Sequence, residues 1–348
     1  MQEIIVDFSK DDVSTIQIEK IIPLETKIHC LIGSMSSIYV DSERIYILDN
    51  QNSKSVFLFS NKGEFLAKTN YGRGPNEMLE PIDFYVDTLN NCVLVWDQSA
   101  YKFFKFSLDL EFISSQKENL VLRNFTKLSD GSWLVRSEYF DYFNYKDNNP
   151  KVFFYYYTYS DDFKKIKSRL LPFDEKFMSI SLVNPISKSV PPLFCTQFDM
   201  NLYTIQGNDV CKAYFINFNE LALTNKIKEK TVDFIFEQQA KGMVVANIEN
   251  IQNSSDYITF QYPLKKELHY VIYSINENKV YLSNNILKNK ILPKGYIRSI
   301  LNDNIFVLEV NPNDFMEYCS SKPNLLKKYK GIKAGDNSVL LFFKLIKK

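Results

Sequence analysis

Histidine is nearly missing from this sequence. His29 and His269 are the only two in 348 residues, so a three-histidine zinc centre cannot be assembled from them. Both read as surface or core histidines. Glycine is scarce as well, with 10 residues, too few for a flexible linker or a fibrous repeat. No Walker A loop, GxGxxG, HExxH or GxSxG occurs, which removes the usual starting points for phosphate cradles, zinc proteases and nucleophile elbows. A Ser-His-Asp set is open on residue counts, but no spacing points to one. The 5 cysteines (Cys30, Cys92, Cys195, Cys211, Cys319) form no CxxC pair and no metal-type spacing. Four sit in apolar, strand-like contexts such as NCVLVW around Cys92, as small buried hydrophobes do.

An excess of charge is also lacking. Lys and Arg number 42 against 41 Asp and Glu, for a net charge of +1, whereas nucleic-acid binders carry a basic excess or stripe. The richest basic stretch, Lys322 to Lys333, reads as a solvated loop interrupted by Pro323 and Gly331. No run approaches the 18 or so apolar residues of a membrane span. The opening MQEIIVDFSKDD has no basic segment followed by an apolar one, so it is not itself a leader. Residence in the cytoplasm and prior removal of a leader both stay open at this point.

What is abundant is β-forming residue. Phe numbers 28 and Tyr 22, and aromatics make up 15% of the chain, a composition that suits pleated, half-buried surface. The strand-like segments repeat. SIYVDSERIYILDNQNSKSVFLFSNKGEFLAK from Ser37 aligns with DFYVDTLNNCVLVWDQSAYKFFKFSLDLEFISS from Asp83. Asp41 falls on Asp87, Asp49 on Asp97, Phe59 on Phe106 and Glu64-Phe65 on Glu111-Phe112, at offsets of about 46 to 48 residues. Each copy reads as four short alternating strands parted by Asp, Asn, Ser or Gly turns, which is a propeller blade. Recurrence of the aspartates argues that they shape turns rather than form one site.

Weaker copies follow. Blade three takes 122–128, 132–137, 152–159 and 163–171, and blade four takes 187–190, 193–197, 202–206 and 211–218. Blade five takes 244–251, 257–262, 268–275 and 279–283. Blade six takes 297–301, 305–310 and 339–346, and has no outer strand of its own. The leftover amino-terminal segments, Glu3–Phe8 and Ile16–Leu24, are strand-like, and one of them is expected to complete blade six and remove its free edge. The expected fold is therefore all-β, a six-bladed β-propeller with four-stranded blades, in a single domain over 1–348. Short helical insertions are expected at Asn225 to Lys241 and, after Pro312, at Asn313 to Cys319.

The segment Tyr71-Gly72-Arg73-Gly74-Pro75-Asn76-Glu77, followed by Asp83-Phe84 and Val86-Asp87, resembles the G-x-GPxE motif between blades one and two of a family of six-bladed, NHL-like β-propellers. These are secreted or lipid-anchored proteins of Gram-negative bacteria, mostly of unknown function. Asn76 stands where that family usually has Gly. Asp336-Asn337-Ser338-Val339-Leu340 resembles its final-strand D-N-P-V-L, with Ser338 in place of Pro. The resemblance spans nearly the whole chain. It implies an exported protein, periplasmic or at the cell surface, whose leader is absent from this sequence, and it implies no catalytic motif.

Function is approached through loop placement. In such a propeller the 71–81 loop, the aromatic insertion Tyr139–Asn149, the 219–242 segment and the 311–337 insertion share one face, a candidate recognition rim on a rigid scaffold. Arg73 and Glu77 of the motif loop, Arg123 and Arg298 at inner-strand starts, and Tyr142 of the aromatic insertion are the candidate ligand-binding residues. A guanidinium suits a carboxylate or phosphate, and the aromatics suit a sugar or peptide. For Arg73 and Glu77 the competing reading is a structural pair fixing the crossover between blades. The leading expectation is a monomeric, non-enzymatic binding or scaffold protein for a carbohydrate, peptide or envelope protein. The alternative is a hydrolase or lyase using an oxygen-ligated cation such as Ca²⁺ at the channel, with Asp83, Asn247 and Glu249 as candidate ligands. A third is a purely structural part of an envelope complex.

Overall fold

The alternating segments become strands in the computed structural model, which describes residues 1–9, 15–118, 121–137, 153–173, 181–207 and 209–346. They form six blade sheets and one two-stranded ribbon, the six-bladed β-propeller anticipated from the repeats. By internal contacts the chain divides into two units. Unit 1 holds Met1–Asp12 and Leu120–Ser283, and unit 2 holds Val13–Asn119 and Asn284–Lys348.

Unit 2 contains blades one, two and six. Blade one is the antiparallel meander Ser37–Val40, Arg44–Asp49, Ser55–Ser60 and Phe65–Lys68. Its middle strands are apolar at successive positions because both faces are covered. Ile45, Ile47, Phe57 and Phe59 pack with Val307, Leu340 and Phe342 of blade six. Tyr46, Leu48, Val56 and Leu58 pack with Phe84, Val93 and Phe104 of blade two. The outer strand Phe65–Lys68 alternates half-buried with exposed, the pattern of a sheet edge with one wet face. Blade two repeats the arrangement with Pro81–Asp87, Cys92–Asp97, Lys102–Ser107 and Phe112–Lys117.

Blade six is built from Tyr296–Leu301, Ile305–Val310 and Val339–Ile346, and its outer strand is Thr15–Pro23. That strand runs antiparallel to Val339–Ile346, from Thr15 opposite Ile346 to Pro23 opposite Val339. Of the two amino-terminal segments, it is the second that completes this sheet. Asn337, just before the last strand, is buried and fixes the loop that follows Pro23. Its Oδ1 accepts the Ile32 N–H at 2.8 Å, and its Nδ2 donates to the Glu25 and Cys30 carbonyls at 2.7 and 2.8 Å. Its own N–H donates to Thr26 Oγ1 at 2.9 Å. The Asn of the carboxy-terminal signature is thus spent on closure, while Asp336 accepts the Lys333 N–H in its own turn at 2.8 Å.

Unit 1 contains blades three, four and five. Blade three is Asn124–Lys127, Trp133–Arg136, Phe153–Tyr159 and Ile166–Phe173, and blade five is Glu249–Asn253, Tyr257–Leu264, Glu267–Ser274 and Lys279–Leu282. Blade four departs from expectation. Its inner strands, read as 187–190 and 193–197, are reduced to isolated bridges from Ile186 to Phe194 and from Phe194 to Tyr203. Pro185, Pro191 and Pro192 supply no N–H for a ladder. Side chains take over part of the pairing: Thr204 Oγ1 donates to the Pro192 carbonyl at 3.0 Å and Asn253 Nδ2, from blade five, to the Pro191 carbonyl at 3.3 Å, while Asn253 Oδ1 accepts from Ser187 Oγ and Ser189 Oγ. The regular part of blade four is Asn201–Gln206 and Asp209–Asn217, with Gln2–Ile5 added in parallel as a third strand.

The insertions also differ in detail. The first is split into Asn225–Lys228 and Val232–Ala240, with Thr231 capping the second helix by accepting from the Phe234 N–H. The second starts at Pro312 and runs to Ser320, capped by Asn311. The basic stretch read as a loop contains the helix Pro323–Tyr329, because proline is tolerated in a first turn. A further short helix, Ser283–Lys288, follows blade five.

Replacing Asn337 with Leu strands one N–H and two carbonyls in a buried loop. The variant is expected to lose about 2–4 kcal/mol of unfolding free energy in urea titration, whereas Lys333→Ala, on the exposed surface, should stay near wild type.

Candidate functional site

The recurring carboxylates serve the backbone, as their repetition predicted. Asp41 Oδ1 accepts the N–H groups of Glu43 and Arg44, both at 2.8 Å, and Asp87 accepts from Asn90. Asp49 and Asp97 lie deeper. Asp49 Oδ2 accepts the Gly33 N–H at 2.8 Å, and its Oδ1 accepts from Gln51 and Asn52. Asp97 Oδ2 accepts from Leu79 and Glu80, and Oδ1 from Ala100. Each therefore ties the segment entering its blade to its own hairpin turn. Burial pushes the Asp49 carboxyl up, but N–H bonds from Asn52, Gly33, Ser53 and Gln51 outweigh it and hold its pKa below the ordinary value.

The motif loop follows the same logic. Glu77 folds back so that Oε2 accepts the Gly74 N–H at 2.7 Å, while Asn70–Tyr71 and Glu77–Met78 pair in parallel. A Cβ at Gly72, where φ is +157°, would lie 2.0 Å from Glu77 Oε2, and one at Gly74 would lie 3.0 Å from it. The two glycines make room for the carboxylate. Asn76 is exposed and outside the positive-φ positions, so glycine is not required there. Arg73 is exposed and has no hydrogen-bond or ion-pair partner among the described residues.

The other candidates belong to both units. Arg298, in unit 2, is held by Glu309: Nε and Nη2 both reach Oε2 at 2.7 Å, with both side chains largely buried. Glu309 Oε1 also accepts from Ser338 Oγ at 3.0 Å. Arg123, in unit 1, is half-buried, and its N–H donates to the Arg136 carbonyl. Asp83 is fully buried in blade two, in unit 2, whereas Asn247 and Glu249 belong to unit 1. Asn247 Oδ1 accepts the Phe198 N–H at 2.7 Å, and Glu249 Oε2 accepts the Val183 N–H at 3.3 Å. Among the described residues no three His, Cys, Asp or Glu side chains are grouped to hold a metal. Tyr142 and the rest of the aromatic insertion lie outside the described residues. None of the five cysteines is in a disulfide.

A cavity of about 360 Å³ lies elsewhere, in unit 2, between helix Pro312–Ser320 and the 287–294 segment. Lys290 and Lys294 line it from the segment, and Asp314 and Glu317 from the helix, where a spacing of three puts them on one face. Leu292 and Tyr318 supply apolar lining. Tyr318 is only 8% exposed, donates from its hydroxyl to the Ile291 carbonyl at 3.1 Å, and has the Lys322 ammonium 3.7 Å from its ring centre. Burial holds Lys322 below the usual lysine pKa, and the charge of Lys290 acts in the same direction. None of the residues singled out from the sequence lines this cavity. The available signals were the length of the 311–337 insertion and the helix start at Pro312.

Residues 12–344 match the family described as Domain of unknown function (DUF4934). Among solved structures, a Bacteroides fragilis NCTC 9343 protein described as "Putative exported protein" is similar over 99% of both chains, with a TM-score of 0.80 and 19% identity. A member of the DUF4221 family from Bacteroides vulgatus ATCC 8482 is similar over 97% of this chain and 100% of its own, with a TM-score of 0.61 and 11% identity. Likeness at these identities concerns the fold. No curated protein matches the sequence.

The depressed pKa of Asp49 gives stability that is present above the unfolded-state value of about 3.9 and lost as pH falls through the folded-state value. Asp49→Asn is therefore expected to cost about 1–3 kcal/mol at pH 7. Its deficit against wild type should shrink below about pH 4 in urea titrations run across pH.

Proposed function

The chain belongs to the DUF4934 family of unknown function, and from that footing we propose that it is an exported, non-enzymatic binding protein that takes a peptide in the cavity of its 311–337 insertion. The observation that carries this reading is a cavity lining of both charge signs and apolar side chains: Lys290 and Lys294 from the 287–294 segment, Asp314 and Glu317 from the helix, and Leu292 and Pro293 beside them. A polypeptide offers side chains or termini of both signs, and its apolar side chains suit the apolar part of the lining. The volume lies at the small end of ligand pockets, enough for a few residues of an extended segment.

The same geometry disfavours a sugar. Carbohydrate recognition relies on an open aromatic face, and Tyr318 is buried with Lys322 over its ring. Placement on an insertion also supports binding, since four-stranded blades do not need helices and elaborations on a rigid scaffold are where recognition is usually built. Export is supported by the description carried by the Bacteroides fragilis protein and by the signature loop at Tyr71 to Glu77. Within this reading Glu77 and Arg298 are architectural, and exposed Arg73 remains available to a partner.

Selection from a random peptide library on the immobilised protein is expected to yield binders with micromolar Kd. The Lys290→Glu, Lys294→Glu double variant should weaken them at least about tenfold, the scale of one or two lost charge contacts. Glycan-array binding that the double variant leaves intact, with no peptide selected, would rule the proposal out. Immunoblotting of fractionated source cells should find the protein outside the cytoplasm.

A further inference from the structure

The amino-terminal segment of unit 1 is bound to blade four in the manner of a ligand. Gln2–Ile5 pairs in parallel with Asp209–Asn217, Gln2 opposite Tyr214 and Ile5 opposite Asn217, whereas the other strand pairs within the blades are antiparallel. The ladder continues through Val6, whose N–H donates to the Asn217 carbonyl at 2.8 Å. Beyond the ladder, Asn219 Nδ2 donates to the Val6 carbonyl at 3.3 Å.

Alternate side chains enter the core. Ile4 and Val6 are fully buried with Leu202, Ile216 and Phe218. Phe8 stacks on Phe218 at 6.4 Å and meets Tyr262 edge-on at 6.1 Å. The intervening residues face outward, Glu3 exposed and Ile5 50% exposed. Two side-chain contacts fix the register: Asn217 Nδ2 donates to Glu3 Oε1 at 2.8 Å, and Gln2 Nε2 donates to the Tyr273 hydroxyl at 2.6 Å.

Main-chain pairing for affinity, pockets at every second residue for selection and a polar clamp for register are the parts of recognition by strand addition. We propose that the outer edge of Asp209–Asn217 is a β-augmentation groove for an extended peptide with apolar residues at three alternate positions and an acid just before the first. Residues 2–8 are its intramolecular occupant. The groove shares no residue with the insertion cavity. Tethering gives the segment a high effective concentration, so it competes with any peptide of the same pattern, and vacating the groove would expose both an unpaired strand edge and the apolar pockets.

The test uses a fluorescent peptide of residues 2–9, with fluorescence polarisation as readout. It is added to the full chain, to a chain lacking residues 1–9, and to the full chain carrying Ile4→Asp and Val6→Asp. Micromolar binding to the truncated or doubly substituted chain, at least about tenfold tighter than to wild type and lost when the peptide itself carries the two aspartates, is the expected result. A dimer formed by exchange of residues 2–8 between copies would also support the groove. A folded truncated or substituted chain that does not bind the peptide overturns the proposal. Loss of cooperative folding in both variants overturns it as well, because residues 2–8 would then be an inseparable part of the core.

Discussion

The pairing of Thr15–Pro23 with Val339–Ile346 is the interaction on which unit 2 depends. Without it, Val339–Ile346, almost entirely buried, becomes a long apolar edge of the kind that recruits other strands. The faces of blade six and blade one share one hydrophobic cluster, so loss of that strand would loosen the neighbour too. Asn337 reinforces the seam by holding the loop after Pro23 with three side-chain hydrogen bonds and one from its own N–H. A single amide that satisfies one donor and two acceptors in a buried place explains why an Asn sits in the signature. Asp in its place would bring only acceptors to two carbonyls.

Much of this was readable from residues because the readable features are local. Blades one and two announce themselves through Asp41, Asp49, Asp87 and Asp97, each of which caps backbone N–H groups within its own turn or the adjoining crossover. Blade four hides for an equally local reason: prolines at 185, 191 and 192 withhold donors, and Asn253, far along the chain, supplies the bonds instead. Which amino-terminal segment would seal blade six was not legible, since both have strand character and only packing separates their destinations. The cavity was less legible still. Its walls come from a helix and a segment whose approach depends on tertiary packing, and its lysines look like any solvated charge in sequence.

In the motif that carries the family likeness, three residues are fitted to one another. Gly72 and Gly74 give way to the Glu77 carboxylate, and that carboxylate caps the loop it belongs to. The Arg298–Glu309 pair is similar in kind: the guanidinium at the start of an inner strand is bonded within its own sheet. Lys290 and Lys294, on the segment before blade six, and Glu317, on the helical insertion, line the cavity instead. The division suits a scaffold whose repeats are constrained by geometry while an appended element is free to vary.

Blade six has a consequence for the order of events in biosynthesis. One of its strands is made more than 300 residues before its neighbour. Pairing as non-local as this forms slowly. The early strand must stay unpaired, or be shielded by a chaperone, until Val339–Ile346 has been made. Chains that stall or are cut short before Val339 therefore carry an open seam, with Thr15–Pro23 left without its partner strand.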